Sequence, residues 1–88
     1  MARYLVEVYV PNCGDALART RAVATTLAHT RGVRYVRAIL IPQDETCFHM
    51  LEAASADMVD AAASEASVAV ERIAEAVEVS RRTLEEEP

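Results

Sequence analysis

Residues 33–53 have the sequence VRYVRAILIPQDETCFHMLEA, and this stretch decides the fold. Its first nine residues are mostly apolar and predict a β-strand over residues 33–41. Pro42, Gln43 and Asp44 predict a turn. After the turn, the chain is expected to return as a strand over residues 45–53. The stretch therefore predicts an antiparallel β-hairpin with a short acidic turn.

A helix is predicted on each side of this hairpin. Before it, Asp15 is expected to cap a helix that runs to about Thr30 and closes at Gly32. The inward positions of this helix recur at three- and four-residue steps and are Leu17, Thr20, Ala24, Leu27 and Ala28. After the hairpin, Ser55 is expected to cap a second helix from Ala56 to about Ala66.

The two ends of the chain each predict one further strand. Residues 3–10 are dominated by β-branched and aromatic side chains and end at turn-forming residues. Residues 72–80 contain alanine and glutamate, which favour helix, but their valines and their place in the series favour strand. The order βαββαβ is the ferredoxin-like unit. We therefore predict one α+β domain over residues 1–80, with a four-stranded antiparallel sheet and a charged tail over residues 81–88.

Length, charge and cysteine content limit the possible functions. The chain has 88 residues, near the lower end of what can bury its own core, so help from a partner chain is expected. The net charge of −5 and the scattered arginines argue against binding to nucleic acid. No apolar run approaches the ~20 residues that span a bilayer, and no secretion signal is recognisable, so we expect a cytoplasmic protein. Cys13 and Cys47 are too few for a disulfide framework and are expected to be free thiols.

Side chains alternate across a strand, so each predicted strand has two faces. The face expected to pack under the helices carries Tyr4, Val6, Val8, Val10, Val36, Ala38, Leu40, Phe48, Met50, Ala74 and Ala76. The opposite face is expected to carry the apolar residues Leu5, Ile39, Ile41, Leu51, Ile73, Val77 and Val79. This is more apolar area than a monomer normally exposes. We therefore expect a second copy to cover it, closing a barrel-like homodimer.

The same covered face is expected to hold the reactive side chains, which are Glu7, Tyr9, Tyr35, Arg37, Cys47, His49 and Glu75. Polar groups that converge within aliphatic walls are typical of a pocket for a small molecule or a metal ion. The alternative is that these groups only satisfy one another and set the register of the dimer. In that case Arg37 would pair with Glu7 or Glu75.

Short motifs resemble a known family. They are ARYLVE at 2–7, GVRYVR at 32–37, PQDETCF at 42–48, VERI at 70–73 and EAV at 75–77. Over about residues 2–79, the chain resembles the small bacterial ferredoxin-like proteins that are grouped as a domain of unknown function and often labelled nickel-binding. The resemblance implies a dimeric ferredoxin-like protein, with nickel bound by some members. This sequence has Arg37 where many relatives have a histidine.

Three functions remain open. A site for nickel or another divalent transition metal would use His49 and Cys47 as ligands, with oxygen from Glu7 or Glu75. A cofactor-free oxygenase, isomerase or cyclase acting on an aromatic or polyketide-like molecule would use His49 as general acid or base and Arg37 to stabilise an anion. A non-catalytic module would hold an anionic or aromatic ligand through Arg37 and the tyrosines.

Overall fold

A computed structural model describes residues 1–85 of the chain. Its elements are β1 (Ala2–Tyr9), α1 (Ala16–Ala28), β2 (Val33–Ile41), a 3₁₀ turn (Pro42–Asp44), β3 (Thr46–Ala53), α2 (Ala56–Glu65), β4 (Val70–Ala76) and α3 (Arg81–Glu85). The four strands form one antiparallel sheet in the order β2-β3-β1-β4. The predicted ferredoxin-like α+β fold and the predicted hairpin of β2 and β3 are therefore confirmed.

Most element boundaries agree with the sequence. The Ser55 hydroxyl accepts a hydrogen bond from the backbone N–H of Met58, so this residue caps α2 as predicted. Asp15 precedes α1, but its side chain makes no capping bond, because the carboxylate binds Arg19 and Cys13 instead. Gly32 does not close α1 directly; it adopts a left-handed φ of 87° just before β2.

The C-terminal end of the chain differs from the prediction. β4 ends at Ala76, so residues 77–80 lie outside the sheet. Residues Arg81–Glu85 form the short helix α3, which is the first part of the predicted charged tail. The rest of that tail, residues 86–88, lies outside the described residues. No helix within residues 1–85 has the length and apolarity needed to cross a bilayer.

Both long helices cover the same side of the sheet. α1 lies mainly over β2, and α2 lies over β4 and β3. The core between the helices and the sheet is built from Tyr4, Val6, Val8, Val10, Ala16, Leu27, Cys47, Leu51, Ala53 and Val59. We call the other side of the sheet the open face; it carries Arg3, Leu5, Glu7, Arg34, Arg37, Ile39, Phe48, Met50, Glu52, Arg72 and Ala74.

The predicted faces of β3 were wrong. Val6 lies opposite His49 and Val8 opposite Cys47, and directly paired residues share a face of the sheet. Cys47, His49 and Leu51 therefore lie under the helices, while Phe48 and Met50 lie on the open face. β3 carries apolar side chains on both faces, so alternation alone does not reveal its inward side. The register decides, because a shift of one residue exchanges the two faces.

The faces of β2 and β4 were mispredicted in part for a different reason. Tyr35 pairs with Leu51 but Arg37 pairs with Met50, so a β-bulge at residue 36 puts Tyr35 under the helices and Arg37 on the open face. In β4, Ile73 pairs with Val6 and packs against the core. Ala74 and Ala76, which were predicted to lie in the core, are on the open face, where they pair with Leu5 and Arg3.

Candidate functional site

A cleft of about 340 Å³ opens between α1 and the C-terminal end of β1. Its walls are mostly apolar and are formed by Val8, Val10, Pro11, Ala22 and Val23. The polar residues that line it are Tyr9, Arg19, Thr20 and His49. This cleft lies on the helix-covered side of the sheet, whereas the sequence predicted a pocket on the open face.

His49 is the centre of a buried polar cluster beside the cleft. Its side chain is 0% exposed and lies in the middle of β3, flanked by Val6 and Ala38 on the neighbouring strands. His49 Nδ1 is hydrogen-bonded to the Tyr35 hydroxyl at 2.8 Å, and His49 Nε2 lies 3.5 Å from Cys47 Sγ. Both ring nitrogens therefore have partners, which is what allows an imidazole to be buried among apolar side chains.

Burial keeps all three members of this cluster uncharged. It lowers the pKa of His49 to about 4 and raises the pKa of Tyr35 to about 12, with a smaller contribution from Cys47 to the latter. Burial also raises the pKa of the Cys47 thiol. A neutral imidazole carries one N–H. The cluster is therefore a chain of two hydrogen bonds whose direction depends on which nitrogen of His49 holds the proton.

Thr20 adds a polar group whose hydrogen-bonding capacity is not used. Thr20 is 5% exposed and lies on the side of α1 that faces the sheet. Among the described residues, its Oγ1 has no hydrogen-bond partner. The hydroxyl is close enough to Cys47 to oppose the rise in the pKa of that thiol, although it makes no well-formed hydrogen bond to it. An unpaired buried hydroxyl costs about 1–3 kcal/mol, so its presence beside a cleft calls for an explanation.

The sequence placed Thr20 on the inward side of α1, and that part of the prediction is confirmed. It did not identify Thr20 as a site residue, because the pattern was used only to locate the core. The sequence did contain a signal, because Thr20 is the one hydroxyl-bearing residue among the predicted inward positions of α1, which are otherwise apolar. Leu17, predicted inward on the same helix, is 54% exposed.

The structure separates the seven predicted site residues into two groups on opposite sides of the sheet. Tyr35, Cys47 and His49 form the buried cluster, and Tyr9 lines the cleft but is 55% exposed. Glu7 and Arg37 lie on the open face. Glu75 is exposed on the edge strand β4, opposite Tyr4.

The predicted ion pair of Arg37 with Glu7 or Glu75 was also wrong. Glu7 lies directly opposite Arg72 and its carboxylate is 3.4 Å from the Arg72 guanidinium. Arg37 is instead 4.0 Å from Glu78. The reason is strand order: β3 lies between the strands that carry Glu7 and Arg37, whereas Arg72 is on the adjacent strand.

The predicted metal ligands do not form a site together. Cys47 and His49 are adjacent, but Glu7 lies across the sheet from them and Glu75 is exposed on the edge strand. Within the described part of the chain, no three His, Cys, Asp or Glu side chains come together. Two buried donors that already contact each other do not complete the coordination of nickel or another transition metal. These residues therefore do not fit the metal that the family resemblance implies.

Comparison with known proteins gives a similarity in fold. No protein-family model matches the chain, and no curated protein does. Among solved structures, the chain is similar to SCO4226 from Streptomyces coelicolor A3(2), with a TM-score of 0.65 and 19% sequence identity. The match covers 85% of this chain and 95% of that chain. At that identity, the similarity shows the ferredoxin-like fold and leaves function to be argued from the site.

Proposed function

We propose that this domain binds a small, mostly apolar molecule in the cleft between α1 and β1. The observation that carries the proposal is the buried hydroxyl of Thr20, which has no hydrogen-bond partner within residues 1–85 and lies beside a cleft whose walls are largely aliphatic. A cavity of about 340 Å³ is within the usual size range of small-molecule pockets. Such pockets combine apolar walls with a few polar groups that orient the ligand.

The charges near the cleft favour a neutral ligand. The pKa of His49 is lowered to about 4 by burial, so the imidazole is uncharged near neutral pH. The cation at the cleft, Arg19, is exposed and bonded at 2.9 Å to Asp15. A neutral aromatic or aliphatic molecule with one hydroxyl or carbonyl group would place that group against Thr20 and the rest against Val10 and Val23.

We propose binding rather than catalysis. The cofactor-free enzyme predicted from the sequence required His49 and Arg37 in one cavity, and these residues lie on opposite sides of the sheet. The nickel alternative required a third ligand beside Cys47 and His49. The small-molecule interpretation requires neither arrangement.

The test uses phenol and 2-naphthol as neutral aromatic probes. Their binding is measured by two-dimensional NMR on the labelled protein. Saturable shifts are expected at Thr20, Val23 and Val10. Thr20→Val should weaken binding by about 2- to 10-fold, the effect of one neutral hydrogen bond. The substitution should not lower the free energy of unfolding, because the Thr20 hydroxyl makes no well-formed hydrogen bond within residues 1–85. Thr26→Val is the matched control, since the Thr26 hydroxyl is exposed and bonds the backbone of its own helix.

Equal affinity in wild type and Thr20→Val would contradict the proposal, as would shifts confined to the open face. Native mass spectrometry of freshly isolated protein provides a second measurement. A retained neutral organic molecule that is lost in Thr20→Val would identify the natural ligand class.

We also propose that the protein is a cytoplasmic homodimer paired through the open face in a barrel-like assembly. Ile39 is 48% exposed on that face and lies next to the half-buried Phe48. Such apolar area on a sheet favours contact with a second copy. Both cysteines are free thiols, which suits a reducing compartment.

A further inference from the structure

We infer that residues 77–85, which we call the C-terminal arm, pack on the open face of a second copy, at the end of that face where Ile39 lies. This inference rests on the proposed homodimer and adds the contact that would form it. The arm contains residues outside the sheet and the short helix α3.

The chain exposes more surface than a compact monomer of its mass, which supports a contact with a second copy. The chain exposes 5968 Å². A folded monomer of 9.6 kDa exposes about 5,100 Å² according to the scaling of surface with mass. The excess of about 900 Å² is close to the roughly 800 Å² that each partner buries in a standard protein interface. The radius of gyration, 13.7 Å, also exceeds the value of about 12 Å expected for a compact domain of this length.

The arm carries large apolar side chains that are exposed to an unusual degree. Val77 is 81% exposed, Val79 60% and Leu84 75%. Glu78, between the two valines, is bonded to Arg3 and lies 4.0 Å from Arg37. These contacts hold the root of the arm at one end of the open face of its own chain. The valines on either side nevertheless remain exposed.

The exposed apolar residues of the arm and of the sheet lie at opposite ends of the open face. The arm begins after Ala76, which pairs with Arg3 near the start of β1. Ile39 pairs with Phe48, which in turn pairs with Glu7. Four residues of β1 separate these two positions, about 14 Å along the strand direction.

A two-fold axis that lies between two facing sheets, perpendicular to the line from Ala76 to Ile39, exchanges these two positions between the copies. It therefore places the arm of each copy over the Ile39 end of the other, so the same contact forms twice. The charges of the open face are already largely paired within the chain, since Glu52 binds Arg3 and Arg34 and Glu7 binds Arg72. An apolar partner surface matches this face, and the Val77, Val79 and Leu84 side chains in the arm of a second copy supply one. The two glutamates and two arginines of the arm give it no net charge.

The first test is the solution mass by sedimentation velocity. Wild type should sediment as a dimer, twice the chain mass of 9.6 kDa. Val77→Asp and Ile39→Asp should each give a monomer with an unchanged circular dichroism spectrum, because both side chains are exposed. Leu17→Asp is the control: this residue is 54% exposed on α1, away from the open face, and its replacement should leave the dimer intact.

The second test is a disulfide between copies. Within one chain, Ala76 and Ile39 are three strand spacings and four residues apart, about 20 Å, whereas a disulfide needs Cα atoms within about 7 Å. Val77→Cys with Ile39→Cys can therefore cross-link only between copies. Cys13→Ser removes the exposed native thiol from this variant, and Cys47 is 0% exposed.

A covalent dimer after mild oxidation is the expected result. A different result would overturn the arm contact and leave the homodimer standing. In that case Ile39→Asp breaks the dimer, Val77→Asp does not, and the cysteine pair forms no cross-link. A wild-type chain that is monomeric at about 100 μM, well above micromolar dissociation constants, would overturn both. A dimer that tolerates both aspartate substitutions would also overturn both.

Discussion

The Tyr35 hydroxyl lies 2.8 Å from Nδ1 of His49, although the two residues belong to different strands and the sequence separates them by 14 positions. The bulge in β2 turns Tyr35 toward the helices, and the register of β3 turns His49 the same way. Their rings are tilted at 57° with centroids 5.9 Å apart. This hydrogen bond satisfies a fully buried imidazole beside the cleft, and it is the basis of the first two predictions.

Tyr35→Phe should destabilise the domain by about 1–3 kcal/mol, because it leaves Nδ1 of His49 buried without its partner. The measurement is urea denaturation at pH 7, followed by circular dichroism. Tyr9→Phe is the control, since Tyr9 is 55% exposed. If the two variants were equally stable, the Tyr35–His49 bond would contribute nothing measurable.

Stability should fall as the pH drops from 6.5 toward 4. Burial lowers the pKa of His49 from 6.5 to about 4, so the unfolded chain takes up the proton first and unfolding becomes easier in this window. The contribution of the uncharged His49 to the free energy of unfolding is complete above pH 6.5 and should decrease by about 2–3 kcal/mol by pH 4.5. Denaturation midpoints across this range measure it, and His49→Gln should remove most of the slope.

Carboxyl groups act in a separate pH range. Arg34 and Arg3 hold the pKa of the Glu52 carboxyl below its usual range, so its contribution is present above its unfolded pKa of 4.5 and is lost at lower pH. A slope that persists unchanged between pH 6.5 and 4.5 in His49→Gln would show that His49 is not its source.

The two thiols should differ in reactivity. Cys13 is exposed, whereas Cys47 is 0% exposed and burial raises the pKa of its thiol, which disfavours the reactive thiolate. Ellman's reagent should therefore modify one thiol in the native chain and both in urea. Cys13→Ser should abolish the native reaction. Rapid modification of Cys47 in the folded protein would contradict its placement under the helices.

The two helix starts should respond differently to alanine. Ser55→Ala should destabilise by about 1 kcal/mol, because the Ser55 hydroxyl caps the N–H of Met58. Asp15→Ala should have an effect within about 0.5 kcal/mol, since Asp15 makes no capping bond and its ion pair with Arg19 is exposed. Equal losses in thermal denaturation would contradict this assignment of the caps.

The candidate site could be predicted only in part. Tyr35, Cys47 and His49 were selected from the sequence and do lie together, but they were placed on the wrong side of the sheet and grouped with Glu7 and Arg37. Tyr35 and Arg37 are two residues apart and would share a face in a regular strand. One inserted residue at position 36 separates them, and no residue type in that stretch marks the insertion.

The amino-acid sequence by itself determined the order of the elements, the hairpin of β2 and β3 and one helix cap, because these depend on local propensities and on short-range periodicity. Only the tertiary structure decided which face of β3 and β4 meets the helices, since strand register and bulges arise from packing between distant segments. His49 illustrates the difference. A histidine within an apolar strand is compatible with either face, and the Tyr35 hydroxyl supplied from another strand allows it to be buried.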